Sequence, residues 1–498
     1  MRDRVGLIVA AFAAALHLAV VNRYDVFRDE LYFIVCGRHP AFGYADQPPL
    51  VPLIAAGLYA LGAQTWLLRL PSVLAAAGLA ALVVAFTRLL GGRDGAAWIA
   101  GIAVTTAPIF MGLAATFNTT SLEPLGWTAV AYLLARAALR DDNRALIWAG
   151  VVAGFTMEAK YALPLWLVAL AVGLALFPER RIFAKRELWI GLAIATVIAL
   201  PSVVWQALHG FPFVELVRNA HLKDEPTTLV AFAANQVLVM NPLFAPLWLL
   251  GLIAPFFMRD LRPARFLAIA FAICAVGIVS SHGKDYYLAP AYPVLFATGA
   301  VAVERLVHSI VLRFAYMTLA LALSAVIAPL ALPILSPEKL IAYERAIHLT
   351  PNAQERGDVG NAMPSLFADM LGWHDFVREV GSAFDKLSPA ERARTSIVVD
   401  NYGEAAALDI YGAPYDLPPA LSGHNQYYLW ALRGQHPVDV LGVTDDPASL
   451  RRYCATVTIL GMTESHYARS FENGKSIALC LALHPSLQTL WPQEKLYI

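Results

Sequence analysis

Trp66-Leu67-Leu68-Arg69-Leu70-Pro71-Ser72-Val73-Leu74-Ala75-Ala76-Ala77-Gly78-Leu79-Ala80-Ala81-Leu82-Val83-Val84-Ala85-Phe86-Thr87 is apolar almost throughout, with Arg69 its one charged residue. A bilayer core about 30 Å thick is crossed by roughly 20 such residues as helix, so this stretch predicts a membrane span. Only a helix, or a closed barrel, satisfies every backbone polar group in lipid, and this Ala/Leu/Val pattern selects the helix. Similar runs flank it. They lie approximately at 5 to 22, 96 to 115, 121 to 139, 145 to 157, 160 to 177, 188 to 207, 243 to 258, 266 to 281, 287 to 303 and 314 to 333, about eleven candidates in all, with the fifth short for a full crossing. The opening apolar run has a basic start like a secretory signal, but so many apolar segments follow that it reads as the first retained span.

Composition agrees. Of 498 residues, 58% are hydrophobic and 15% charged, against about 25% charged in soluble domains. Lys plus Arg and Asp plus Glu number 37 each, so no basic excess favours nucleic acid. Counting positive residues in alternate connections orients the chain. One set holds Arg2, Arg4, Arg88, Arg93, Arg136, Arg140, Arg144, Arg180, Arg181, Lys185, Arg186, Arg259, Arg262, Arg265, Arg305 and Arg313. These connections are expected to be cytoplasmic, with the N-terminus among them. The opposite connections hold nearly all the acidic and aromatic groupings of the first 340 residues or so, and chemistry is expected there, on the outer face.

After Pro333 the apolar runs stop, so the chain divides into a membrane domain at 1 to 335 and a region at 336 to 498. The second is large enough for its own core. The runs Thr395-Ser396-Ile397-Val398-Val399 and Val457-Thr458-Ile459-Leu460 read as strands among helical stretches, predicting a small soluble α/β domain outside the membrane. Of the four cysteines, Cys36 and Cys274 stand alone, and none has zinc-ligand spacing. Cys454 and Cys480 are compatible with either a disulfide or two buried thiols.

The first outer connection runs Tyr24-Asp25-Val26-Phe27-Arg28-Asp29-Glu30-Leu31-Tyr32 and on to Gly43-Tyr44-Ala45-Asp46-Gln47-Pro48-Pro49-Leu50. Adjacent residues on a helix point about 100° apart, so Asp29 and Glu30 are expected to play two roles, one facing a site and one supporting it or capping the helix. This pattern resembles glycosyltransferase family 39 and its bacterial relatives, which include protein mannosyltransferases and aminoarabinose transferases acting on lipid A. Further pieces of the resemblance are Asn118-Thr119-Thr120-Ser121-Leu122-Glu123-Pro124, Glu158-Ala159-Lys160-Tyr161 and His282-Gly283-Lys284-Asp285-Tyr286-Tyr287-Leu288-Ala289-Pro290. It covers about the first 340 residues. In one respect the chain departs: relatives often carry Glu-Lys before the paired prolines, where Asp46-Gln47 stands here.

The resemblance implies a GT-C-like helical membrane fold, a polyprenyl-phosphate sugar donor and a glycolipid, glycan or protein acceptor at the outer face of the inner membrane. It also implies that Asp29 is the base, with Glu30 beside it. The chemistry asks for a base on the acceptor hydroxyl and cations for the departing phosphate. Lys160, Lys284, Arg28 and Arg69 are the candidate cations, with Tyr161, Tyr286 and Tyr287 as aromatic neighbours. Glu123 and Glu158 are candidates to orient a cation or a sugar hydroxyl. A Glu158 to Lys160 pair that only closes a hairpin, and snorkelling of the cations to the headgroups, stay open as structural alternatives. By the same resemblance a divalent metal would fall to Asp46 with His221 or His209, although two ligands alone do not make a site. In the C-terminal region, Asp400-Asn401-Tyr402-Gly403-Glu404-Ala405 and Ser422-Gly423-His424-Asn425-Gln426-Tyr427 fall at strand ends, where ligand contacts and plain turn chemistry are both expected. A flippase of lipid-linked sugars is the rival function. It should carry internal repeats, and none is found.

Overall fold

In the computed structural model, residues 3–224, 228–348, 355 and 358–498 are described. Arg2, counted above among the cytoplasmic charges, lies outside them. The chain forms two compact units. The first is Met1–Arg23, Gln64–Val204 and Pro226–Ile334; the second is Tyr24–Ala63, Trp205–Glu225 and Leu335–Ile498. The break after Ile334 falls beside the composition change, but the division is not linear along the chain. The long connections at 24–63 and 205–225 belong with the C-terminal region because their polar groups bond to it. Ala45 N donates to Gln426 Oε1 at 2.9 Å, Asn219 Nδ2 to Tyr497 O at 2.9 Å, and Lys495 meets Glu215 at 2.6 Å.

The first unit is helical. Five helices are long and apolar enough to cross a membrane, among them Thr65–Leu89, Arg186–Leu208 and Ile310–Leu330, or up to seven if each bent pair is one span. That count is of the described residues, by length and composition, against the eleven stretches expected. The remaining stretches are helices too, but shorter or more polar. The expected span at 96 to 115 is interrupted: Asp94–Thr106 ends and Pro108–Leu113 begins, with Ala107 extended between them at ψ 129°. Steric conflict with the proline ring drives the preceding residue out of the helical region, which accounts for the break. Asn118 caps Thr119–Arg140, accepting from Thr120 N at 2.8 Å and Ser121 N at 3.0 Å. That satisfies donors that the first helical turn leaves free. Many apolar side chains of Arg186–Leu208 are exposed, including Leu192, Val197 and Leu200, as a lipid-facing surface requires.

The second unit carries a mixed sheet of β1 (Thr395–Val399), β2 (Asp439–Thr444), β3 (Cys454–Met462) and β4 (Ser476–Leu483) in the order β1-β2-β4-β3. β1 and β2 are parallel, with Thr395 opposite Asp439 and Val399 opposite Val443; β4 is antiparallel to both β2 and β3. A parallel pair needs a crossover connection, and the helix Tyr402–Tyr411 lies within it. The helix Trp373–Phe384 buries Trp373, Phe376, Val377, Val380 and Phe384, an i, i+3, i+4 stripe. A disulfide joins Cys454 to Cys480, while Cys36 and Cys274 are buried free thiols.

Candidate active site

In the second unit, the helix Arg28–Arg38 begins at the acidic motif, with Phe27 extended at its N-cap. Glu30 is fully buried and turns back, its Oε2 accepting from Phe27 N at 2.8 Å. This is the reach of a residue three positions into a helix onto the first orphan donor. The helical offset then sends Asp29 to another side, where its side chain keeps 30% exposure. Tyr402 Oη donates to Asp29 Oδ1 at 2.8 Å. Arg28 Nε lies 3.6 Å from the same oxygen, and its Nη1 is 3.5 Å from Asp369 Oδ1. Arg28 N also donates to Asp369 O at 2.9 Å, and its guanidinium carbon sits 5.3 Å from the centre of the Tyr402 ring.

Behind Asp369 stands Arg469, 2% exposed in its side chain, with Asp369 Oδ2 at 3.3 Å, Glu355 Oε2 at 3.0 Å and Asp358 as partners. Burial works against a charged Arg28, but Asp369, Tyr402 and Asp29 more than offset it and hold the guanidinium well above its usual range. Burial likewise pushes the Tyr402 phenol well above the ordinary tyrosine value, Arg28 opposing and Asp29 adding to the rise. The phenol therefore remains a donor to Asp29.

Asp46 lies in the same unit. Its Oδ1 accepts from Tyr32 Oη at 2.8 Å and its Oδ2 from Asn425 Nδ2 at 3.4 Å. Gln426 N in turn donates to Tyr32 Oη at 3.1 Å. His221 is exposed, with Nδ1 at 2.7 Å from Arg218 O, and His209 stacks on Trp205 with ring centres 4.0 Å apart. Among the described residues no three His, Cys, Asp or Glu gather as metal ligands.

The first unit holds a different group of expected residues. Lys160 ends the helix Arg144–Ala159 in an extended conformation and reaches Glu123 Oε2 at 2.8 Å. Its ammonium lies 5.0 Å from the Tyr287 ring centre, and Tyr286 meets Tyr287 edge-on. Glu158 accepts instead from Ser202 Oγ at 2.6 Å. The local Glu158 to Lys160 pairing weighed above is thus corrected: the lysine's partner is 37 positions away. Tyr161 follows Lys160 and is partly buried. Arg69 is wholly buried and donates to Val21 O at 2.9 Å, tying its helix to the turn that follows Arg4–Leu18. Lys284 is partly buried before the short helix Asp285–Ala291. The left-handed residue of its turn is His282, at φ 53°.

Several participants carried little signal in the sequence. Tyr402 and Asn425 fall in strand-end motifs that turn chemistry also explains, Tyr32 reads as one more aromatic, and Asp369 and Arg469 sit in no motif.

Residues 46–205 match a family model described as dolichyl-phosphate-mannose-protein mannosyltransferase. The chain is similar to the lipid A galacturonosyltransferase RgtD of Rhizobium johnstonii, 27% identical over 262 residues, covering 50% of this chain and 54% of that protein. It therefore spans about half the length of the curated relative it matches. Among solved structures it is similar to ArnT from Cupriavidus metallidurans, bound to undecaprenyl phosphate, with TM-score 0.58 and 13% identity over 95% of this chain and 97% of that one. The apo form of the same protein matches at TM-score 0.58 and 14% identity. At that identity the likeness is one of fold, and the chain has the helical membrane fold with a small C-terminal sheet that its sequence predicts.

Proposed function

We propose that this chain is a membrane glycosyltransferase that moves a sugar from a polyprenyl-phosphate donor to a glycolipid, glycan or protein acceptor at the outer face of the inner membrane. The observation that carries this reading is Asp29: a part-exposed carboxylate at the start of the helix Arg28–Arg38, one oxygen held by Tyr402 and the other left to act. Relatives named as a lipid A galacturonosyltransferase and as ArnT bound to undecaprenyl phosphate support the same chemistry. The Cys454–Cys480 disulfide supports an oxidising, outer compartment for the second unit.

In this mechanism the acceptor oxygen bonds to the anomeric carbon as the bond from that carbon to the phosphate oxygen breaks. The acceptor proton passes to Asp29, and the electron pair leaves with the polyprenyl phosphate. Attack opposite the leaving group inverts the anomeric carbon. Arg28, fixed as a cation by Asp369, keeps positive charge beside the carboxylate; Lys284 is the proposed partner of the departing phosphate, whose charge grows toward the transition state. Deleting the gene and identifying accumulated lipid-linked sugars by mass spectrometry tests the reading. Accumulation on the outer leaflet, reversed by the wild-type protein and not by Asp29→Asn, is the expected result. Accumulation confined to the inner leaflet would favour the flippase instead.

A further inference from the structure

We propose that Tyr402 is a positioning residue for Asp29, its hydroxyl holding Oδ1 so that Oδ2 is the oxygen presented to the acceptor. The proposal rests on Asp29 being the base. A carboxylate turns easily about its last torsion, whose wells are broad and two-fold. An unanchored Asp29 would present either oxygen, in many directions. The Tyr402 hydrogen bond at 2.8 Å removes that freedom. Arg28 Nε at 3.6 Å is beyond hydrogen-bond range and cannot replace it, though its charge reinforces the same side.

Tyr402 is itself held from all sides. Its ring, 7% exposed, has the Tyr32 ring centre at 4.6 Å and that of His424 at 4.9 Å, with the Arg28 guanidinium at 5.3 Å. It is the first residue of its helix, and that helix start is locked by a reciprocal cap. Asn401 Oδ1 accepts from Gly403 N at 2.8 Å and Glu404 N at 3.1 Å, while Glu404 Oε2 accepts in return from Asn401 N at 3.4 Å and also from Asp400 N at 2.9 Å. Lys475, 2% exposed in its side chain, ties Glu404 at 2.6 Å and Asp400 at 2.9 Å. At Gly403 an added Cβ would stand 2.5 Å from Arg28 Cγ, so glycine leaves room for the arginine against the ring. The run Asp400-Asn401-Tyr402-Gly403-Glu404 is thereby accounted for: it aims one hydroxyl at one carboxylate oxygen. A catalytic group needs this, because small misplacements of a base carry large losses of rate.

Tyr402→Phe keeps the ring and its stacking and removes only the donor. The full-length protein, purified in detergent, is assayed with the polyprenyl-phosphate sugar extracted from cells lacking it. Tyr402→Phe is expected to lower kcat about tenfold, the effect of losing one charge-assisted hydrogen bond, with donor KM within about twofold and an unchanged unfolding midpoint. Wild-type turnover would overturn the proposal. So would a rise in KM that accounts for the whole loss, or a loss accompanied by a lowered unfolding midpoint, which would assign Tyr402 to the fold. Asp29→Asn runs alongside: its wild-type activity would defeat the base itself, whereas an inactive Asp29→Asn with a normal Tyr402→Phe defeats only the positioning role.

Discussion

Asp29 and Glu30 stand side by side and do different things because one helical step separates their directions. Asp29→Asn is expected to leave the protein inserted while lowering transfer about 10² to 10⁴-fold, the range for a general base. Glu30 is buried as a cap, so its loss should appear in stability. Glu30→Ala is expected to cost about 1 kcal/mol, the usual size for a cap, with Glu30→Gln milder because an acceptor oxygen remains. Thermal unfolding in detergent measures it, and an unchanged midpoint for Glu30→Ala would remove the capping role. Lys284 is tested by turnover and donor affinity together. If it stabilises the leaving phosphate, Lys284→Met lowers kcat more than it weakens donor binding, and Lys284→Arg recovers part. A lysine that only anchors its segment would tolerate both changes.

Among the elements of the first unit, close approach decides packing. A Cβ on Gly299 would stand 2.0 Å from Leu247 O, and one on Gly251 2.1 Å from Leu295 O. The helices Ala245–Phe257 and Tyr292–Leu306 thus touch backbone to backbone through these glycines, the packing that small residues permit in lipid. Gly299→Ala is expected to push them apart at a cost of about 1 to 3 kcal/mol, as overpacking does. By contrast Gly57, in the second unit on the helix Leu50–Ala60, has nothing within 4 Å of its would-be Cβ. Gly57→Ala should be neutral or slightly stabilising, and equal unfolding midpoints for the two variants would contradict the contrast. The Lys160–Glu123 pair joins elements in a similar way. Lys160→Met leaves a buried carboxylate without its ammonium and is expected to destabilise by about 3 kcal/mol, with much of it recovered in Lys160→Met, Glu123→Leu.

At the scale of the whole molecule, compartment and topology meet in the second unit. The disulfide closes a loop between positions 26 apart, and removing it through Cys454→Ser with Cys480→Ser is expected to lower stability by about 3 kcal/mol on loop entropy. A reporter fused after Ile498 should be exported, and the thiols should resist alkylation until reduced. A cytoplasmic reporter signal would reverse the orientation drawn from the positive charges.

The sequence by itself determined what is local and periodic. Apolar runs of bilayer length made the membrane helices, the β-branched runs at Thr395–Val399 and 457–460 made strands, and the adjacency of Asp29 and Glu30 required that their side chains part. Tertiary structure alone decided which distant groups meet. Tyr402 reaches Asp29 across 373 positions, Arg469 reaches Asp369 across 100, and Lys160 passes over nearby Glu158 to take Glu123. The same holds for Arg69, by sequence a candidate phosphate cation with snorkelling as its alternative and in the fold a buried donor to Val21 O, and for Cys454 with Cys480, where thiol and disulfide were equally compatible. The physical reason is one of range. Backbone hydrogen bonding and hydrophobic period repeat every two to four residues and are written along the chain, whereas the partner of a buried charge is whichever group packing brings within about 4 Å, and packing is a property of the whole.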